Sequence, residues 1–219
     1  MANAELERRS YNFEIRAEEN DSGATITGRP IVYNSRTDMG WFDEIIERGA
    51  LDNADLTDVR FLVNHDTSKI PLARSRRNTP NSTMQLTVDS EGLAIRVKLD
   101  TENNADARAL YSSVQRGDIS GMSFMFGIDA QEWTEMESEH PTRHINKIST
   151  VVEVSACTFP AYEDTEINAR SKEALENARL ALENAKKEAV DTARSADGSE
   201  DSELALEKEK LISKFKKIL

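Results

Sequence analysis

The feature that most constrains the fold is a two-residue alternation of apolar and polar side chains, repeated along most of the chain. Tyr11, Phe13, Ile15 and Ala17 alternate with Asn12, Glu14, Arg16 and Glu18. Successive side chains of a strand point to opposite faces, so each such run predicts a half-buried strand. Residues 24–34 continue the pattern, with Gly28 and Pro30 marking a bulge or an edge. Val59, Phe61 and Val63 form a third run, and Met84, Leu86 and Val88 a fourth. Leu93, Ile95, Val97 and Leu99 form a fifth, joined to the fourth by Asp89-Ser90-Glu91-Gly92 as a β-hairpin. Met122, Phe124, Phe126 and Ile128 share one face of a sixth. In the seventh, over 150–159, Val152, Val154 and Ala156 oppose Glu153, Ser155 and Cys157. Helical spacing is confined to Phe42, Ile45 and Ile46 within 39–51, and to Ala107, Leu110, Tyr111 and Val114. Asn103 or Asn104 is placed to cap that second helix, and Gly117 to end it. Strands and helices do not alternate as βαβ units. The expected class is therefore α+β, a mostly antiparallel, closed β-barrel with surrounding helices.

At about Ser171 the pattern changes. Residues 171–194 lack glycine, proline and aromatics, and Leu175, Ala178, Leu182, Ala185 and Ala189 make a narrow apolar stripe. A polar linker over 195–202 precedes a second stripe of Leu204, Leu211, Phe215 and Leu219. The division expected is a barrel domain over 1–170 and a charged, amphipathic helical tail over 171–219. Such a tail is either a solvated appendage or a handle that docks on another helix. Residues 129–147, polar and acidic, read as a long hairpin excursion or a mobile loop.

Composition narrows the function classes. With 38% hydrophobic and 31% charged residues, part of the chain must be solvated. A net charge of −12 opposes broad contact with nucleic-acid phosphates. No apolar run reaches membrane-spanning length, and the first residues lack the apolar stretch of a signal peptide. The single cysteine, Cys157, offers neither an internal disulfide nor a structural zinc site, so the chain reads as cytosolic.

Three polar residues stand out. Ser123 has the parity opposite to the apolar face of its strand, a small hydroxyl on a backbone flanked by Met122 and Phe124, the setting of a fixed nucleophile or of any half-exposed strand. His65 follows Val63 where an apolar face runs out, which suits a packed structural histidine or a general base. Glu153 lies in a strongly apolar run and needs a partner, either an arginine or an imidazole. His140 and His144 are four apart, but Pro141 opposes the helix that would aim both at one metal, so no metal site is expected. Residues 71–77, with Arg74, Arg76 and Arg77, read as a basic loop. Neither a Gly-x-Ser-x-Gly elbow nor a Ser-x-x-Lys motif is present, which disfavours two large hydrolase classes.

Gly49-Ala50-Leu51, Asn64-His65-Asp66, Gly121-Met122-Ser123-Phe124, Glu153-Val154-Ser155 and Phe159-Pro160-Ala161 resemble, in order and spacing, the HK97-type prohead proteases of tailed phages, peptidase family S78. The resemblance covers about residues 10–168. It implies a barrel similar to that of herpesvirus assemblin, and a serine endopeptidase without a cofactor. It further implies action in the host cytoplasm, inside the assembling prohead, on the scaffolding segment of the major capsid protein and on the enzyme itself, with self-association. By position, His65 matches the family histidine and Ser123 the family serine. Glu153 takes the third place, with Asp66 or His144 as substitutes. Ser120 is the rival nucleophile, and Arg74 a conceivable cation for the oxyanion. Self-cleavage is placed near 169–171 or in the 195–202 linker. The competing reading is a non-enzymatic assembly factor that binds capsid subunits through barrel and tail.

Overall fold

The computed structural model describes residues 6–11, 15–20, 23–158 and 175–192. The chain divides into two compact units, Met1–Ala174 and Leu175–Leu219. In the first, the strands are β1 (Leu6–Tyr11), β2 (Ile15–Asn20), β3 (Gly23–Val32), β4 (Arg36–Asp38), β5 (Asp43–Ile46), β6 (Asp58–Val63), β7 (Ala73–Arg76), β8 (Met84–Asp89) and β9 (Gly92–Lys98). Helix α1 (Ala105–Arg116) follows, and then β10 (Gly121–Thr134) and β11 (Thr142–Cys157). In the second unit a helix, α2, spans 175–192. The predicted linker and second stripe lie outside the described residues, as do 159–162, the expected end of the last strand and its turn.

The strands form two sheets. One has seven strands in the order β1-β10-β11-β5-β4, with β6 pairing both β11 and β7. The other has four, β2-β3-β9-β8, all antiparallel. The expected closed barrel is not found among the described residues: each sheet ends in edge strands, and β11 lies parallel to both β5 and β6. One continuous apolar core joins the two. Met122, Phe124 and Phe126 of β10, Ile26 and Ile31 of β3, and Leu93 and Val97 of β9 belong to it, with Ala107, Leu110 and Val114 of α1.

Local chemistry explains the elements that position this core. The Asn104 side chain accepts from the backbone N–H of Asp106 (2.9 Å) and Ala107 (3.2 Å), closing the start of α1. Gly117 ends it in the left-handed region, φ 80°, with its N–H directed at Ser113 and Val114 carbonyls. The β8–β9 hairpin forms as predicted, and β3 shifts register between Gly28 and Ile31, where the bulge was expected. Gly92 is required at φ 139°, because a Cβ there would stand 2.0 Å from the Ile31 carbonyl oxygen.

Three sequence expectations give way. The run from Tyr11 to Ala17 is not one strand: β1 ends at Tyr11 in the larger sheet, and β2 begins at Ile15 in the smaller. The helix expected over 39–51 is instead β5 and its flanking turns, with Phe42, Glu44 and Ile46 buried alternately. The period was two all along, disguised by a carboxylate at an interior position. The basic loop over 71–77 contains β7, whose Arg74 pairs with Asp58 across to β6. The polar excursion is the hairpin of its two readings, zipped as far as Thr134 opposite Thr142. Trp133 is buried in it, stacked on Trp41 with ring centroids 5.8 Å apart. Among the described residues no helix is long and apolar enough to cross a membrane.

Candidate active site

β10 fixes Ser123 from both sides. Met122 and Phe124, its neighbours in sequence, are fully buried in the core, so the serine backbone has no freedom to turn. Ser123 pairs with Ser10 of β1 on one side and with Ser155 of β11 on the other. Its own side chain is fully buried as well.

His65 reaches Ser123 by a device that alternation did not foretell. Continued as a strand, β6 would carry residue 65 to the core face with Val59 and Phe61. Instead Asn64 (φ 51°) and His65 (φ 57°) both adopt the left-handed region, reversing the chain and bringing the imidazole to the Ser123 face. The turn is held by reciprocal bonds: Thr158 N–H donates to Asn64 Oδ1 and Asn64 Nδ2 to Thr158 Oγ1, each at 2.9 Å. Asn64 N–H also donates to the Ala156 carbonyl (3.0 Å). Left-handed non-glycine residues cost free energy, and a pair of them persists only where surrounding bonds hold them.

Glu153, on β11, completes the set. His65 Nδ1 bonds Glu153 Oε1, and His65 Nε2 lies 2.5 Å from Ser123 Oγ. Ser155 Oγ donates to Glu153 Oε2 (2.7 Å) and accepts from the His65 backbone N–H (3.1 Å). Both carboxylate oxygens are therefore occupied, and the imidazole is gripped through its ring and its main chain. Because the carboxylate accepts from Nδ1–H, the neutral ring leaves Nε2 as an acceptor facing the serine. The arrangement can take a proton from Oγ and stabilise the resulting imidazolium.

The other sequence candidates stand elsewhere. Asp66 is bonded to Ser68 through its backbone N–H (3.0 Å) and hydroxyl, and these bonds hold its carboxyl below the ordinary range. His144 bonds Glu47 (2.7 Å) and Thr134 (3.0 Å), and His140 bonds Asp43 (3.1 Å), so the two histidines serve different partners. Arg74 is engaged by Asp58, removing it as the oxyanion cation. Ser120 precedes β10 and is exposed. Cys157 borders the site, its thiol directed at the Ser155 carbonyl at 4.0 Å. Burial, and then the Glu153 charge, push its thiol up to about 11, so it holds its proton at neutral pH.

Sequence reasoning missed Arg9. Its backbone carbonyl accepts from Ser123 Oγ at 2.5 Å. Its guanidinium joins a buried quartet with Glu7 on β1, Glu44 on β5 and Arg143 on β11. Part of the signal was present: Glu44 adjoins Ile45 and Ile46, the same anomaly that singled out Glu153, whereas Arg143 lies between Thr142 and His144 and carries none.

The family model described as caudovirus prohead serine protease matches residues 11–179, a span containing His65, Ser123 and Glu153. The chain is 31% identical over 157 residues to the prohead protease of Enterobacteria phage HK97, an alignment covering 69% of this chain and 63% of that one. The chain thus spans less than two thirds of that relative's length. Among solved structures it is similar to the bacteriophage T4 capsid assembly protease, at 10% identity and a TM-score of 0.33, covering 68% of this chain and 98% of that one. That score is too low to carry an argument.

Proposed function

We propose, from the premise that this chain belongs to the caudovirus prohead serine protease family, that it is a serine endopeptidase of capsid maturation. The observation carrying this reading is the hydrogen-bond chain from Glu153 on β11 through His65, in the turn after β6, to Ser123 on β10. Ser123 Oγ attacks the peptide carbonyl as His65 Nε2 takes its proton. The imidazolium, held by Glu153, then protonates the leaving amine, and water repeats the cycle on the acyl-enzyme. No cofactor is needed for any step.

The substrates proposed are the scaffolding segment of the major capsid protein and the enzyme itself, cleaved inside the prohead in the host cytoplasm. The tail over 171–219, which includes α2, is the docking element that carries the 1–170 domain into the shell. Wild type and Ser123→Ala, each co-expressed with the capsid protein of the same phage, test the activity. Fragments seen by mass spectrometry only with wild type are expected, together with fluorophosphonate labelling of Ser123. Equal fragmentation by a folded Ser123→Ala protein removes the assignment. Deletion of 172–219 is expected to abolish incorporation into proheads while sparing hydrolysis of a peptide. Normal incorporation of the truncated chain removes the docking role.

A further inference from the structure

β1 lies along the one side of β10 that β11 leaves open, and it is itself an edge strand. Its register sets Arg9 opposite Phe124 and Ser10 opposite Ser123, so a polypeptide strand runs directly past the nucleophile. We propose that this edge of β10 is the binding site for an extended substrate peptide, and that β1 fills it in place of substrate, keeping the site latent. The inference rests on the serine protease reading and adds to it how substrate is held and what must move first.

Three observations carry it. First, Ser123 is fully buried while β1 is seated, so no substrate carbonyl can approach Oγ. Second, the serine hydroxyl has one hydrogen, and the Arg9 carbonyl, at 2.5 Å, competes for it with His65 Nε2 at the same distance. Whenever that hydrogen turns to Arg9, His65 Nε2 cannot receive it from the same hydroxyl, and the dyad is drawn out of its working state. The Arg9–Ser10 peptide presents its oxygen rather than its carbon to Oγ, so it is bound as a hydrogen-bond acceptor and not as a scissile bond. A peptide displacing β1 would regain the same main-chain bonds to β10, the usual way a strand adds to a sheet edge.

Third, the four ions of the buried quartet divide evenly. Glu7 and Arg9 leave with the strand, one negative and one positive. Glu44 and Arg143 stay behind and are already paired, Arg143 Nη1 to Glu44 Oε2 at 3.2 Å. Removing one partner from a buried ion pair is strongly destabilising because it strands a charge. Here the departure of β1 strands none. The quartet fixes the strand firmly in place, yet the strand's departure removes one charge of each sign from the quartet.

The test uses the full chain and substitutions outside the proposed triad. Arg9 turns its carbonyl toward Ser123, so by alternation the Tyr11 N–H also faces β10, and Tyr11→Pro removes that donor and breaks the pairing. Arg8 and Met125 stand directly opposite each other across β1 and β10, so in an Arg8→Cys, Met125→Cys protein an oxidant can staple β1 to the sheet. Fluorophosphonate labelling of Ser123 is expected to quicken about tenfold in Tyr11→Pro, as the uncovered population rises. It should fall at least about tenfold in the oxidised Arg8→Cys, Met125→Cys protein and recover on reduction. A synthetic peptide copying residues 4–13 should protect amides 122–126 from exchange in the Tyr11→Pro, Ser123→Ala protein. Wild-type labelling rates in folded Tyr11→Pro, or in the stapled form, overturn the proposal and leave the serine assignment standing. If no form labels, the serine assignment fails, and peptide protection alone decides the strand site: its absence overturns it.

Discussion

At the scale of single residues, the site depends on how Glu153 distributes its two oxygens. One meets the imidazole and the other accepts from Ser155, whose hydroxyl also receives the His65 main-chain N–H. Ser155 never touches substrate in this scheme; it positions. Ser155→Ala leaves a buried carboxylate oxygen and a backbone N–H without partners, a deficit of about 1–3 kcal/mol. The expected result is a kcat lowered about 10- to 100-fold with KM nearly unchanged, because ring orientation suffers and peptide binding does not. Glu153→Ala should cost more, about 100-fold or beyond, since the imidazolium then lacks both orientation and a counter-charge. Ser123→Ala and His65→Ala should each abolish turnover while leaving the melting transition in place. Neither Asp66 nor His144 can step in for Glu153, because each is committed to other partners. Steady-state kinetics of the four variants, with circular dichroism as the check on folding, would order them. A Glu153→Ala enzyme at wild-type rate would dismantle the proposed relay.

At the scale of elements, the tight Asn64-His65 reversal decides whether β6 delivers a base or merely another core residue. A glycine at 64 accepts φ 51° without strain, whereas a β-branched residue there clashes with its own backbone. Asn64→Gly should therefore keep most activity despite losing the Thr158 bonds, and Asn64→Val should lose it by swinging the imidazole off Ser123. Chemical shifts of the His65 ring, read by NMR, would report the displacement separately from turnover. The same turn shows where the sequence was legible. Period-two alternation placed β3, β6, β8, β9, β10 and the end of β11, and capping residues bounded α1, because those signals are local. Alternation could not place His65, since its face depends on two left-handed residues rather than on parity. It also misassigned β5, where Glu44 occupies an interior position that only the distant Arg9 and Arg143 make tolerable. The closure of strands into a barrel was inferred from strand number, the lack of βαβ alternation and the family resemblance, none of which specifies pairing. Pairing across β11, which joins β5 and β6 to one side of the same strand, sends the chain into two open sheets instead.

At the scale of the whole first unit, strand β1 links the buried quartet to Ser123, and the linkage has a pH dependence whose sign follows from the geometry. Burial alone would raise the Glu7 carboxyl, but Arg9 and Arg143 outweigh it and hold the group below its ordinary 4.5. A carboxyl lowered in the folded protein contributes stability in full above its unfolded value. That contribution fades as pH falls through the lower, folded value. Seating of β1 should therefore be unaffected down to about pH 5 and weaken below 4.5, before the rest of the sheet, whose core is apolar, gives way. Once protonated, Glu7 no longer balances Arg9 and Arg143, and the quartet carries a net positive charge in a place with little water. Amide exchange at Glu7–Ser10, corrected for the intrinsic rate, should accelerate in acid ahead of exchange at 93–97 of β9. In Glu7→Gln, which cannot titrate, the strand should be loose already at neutral pH and show little further acid response. Exchange that rises equally in β1 and β9, or a Glu7→Gln profile identical to wild type, would mean that the quartet does not govern how β1 is held.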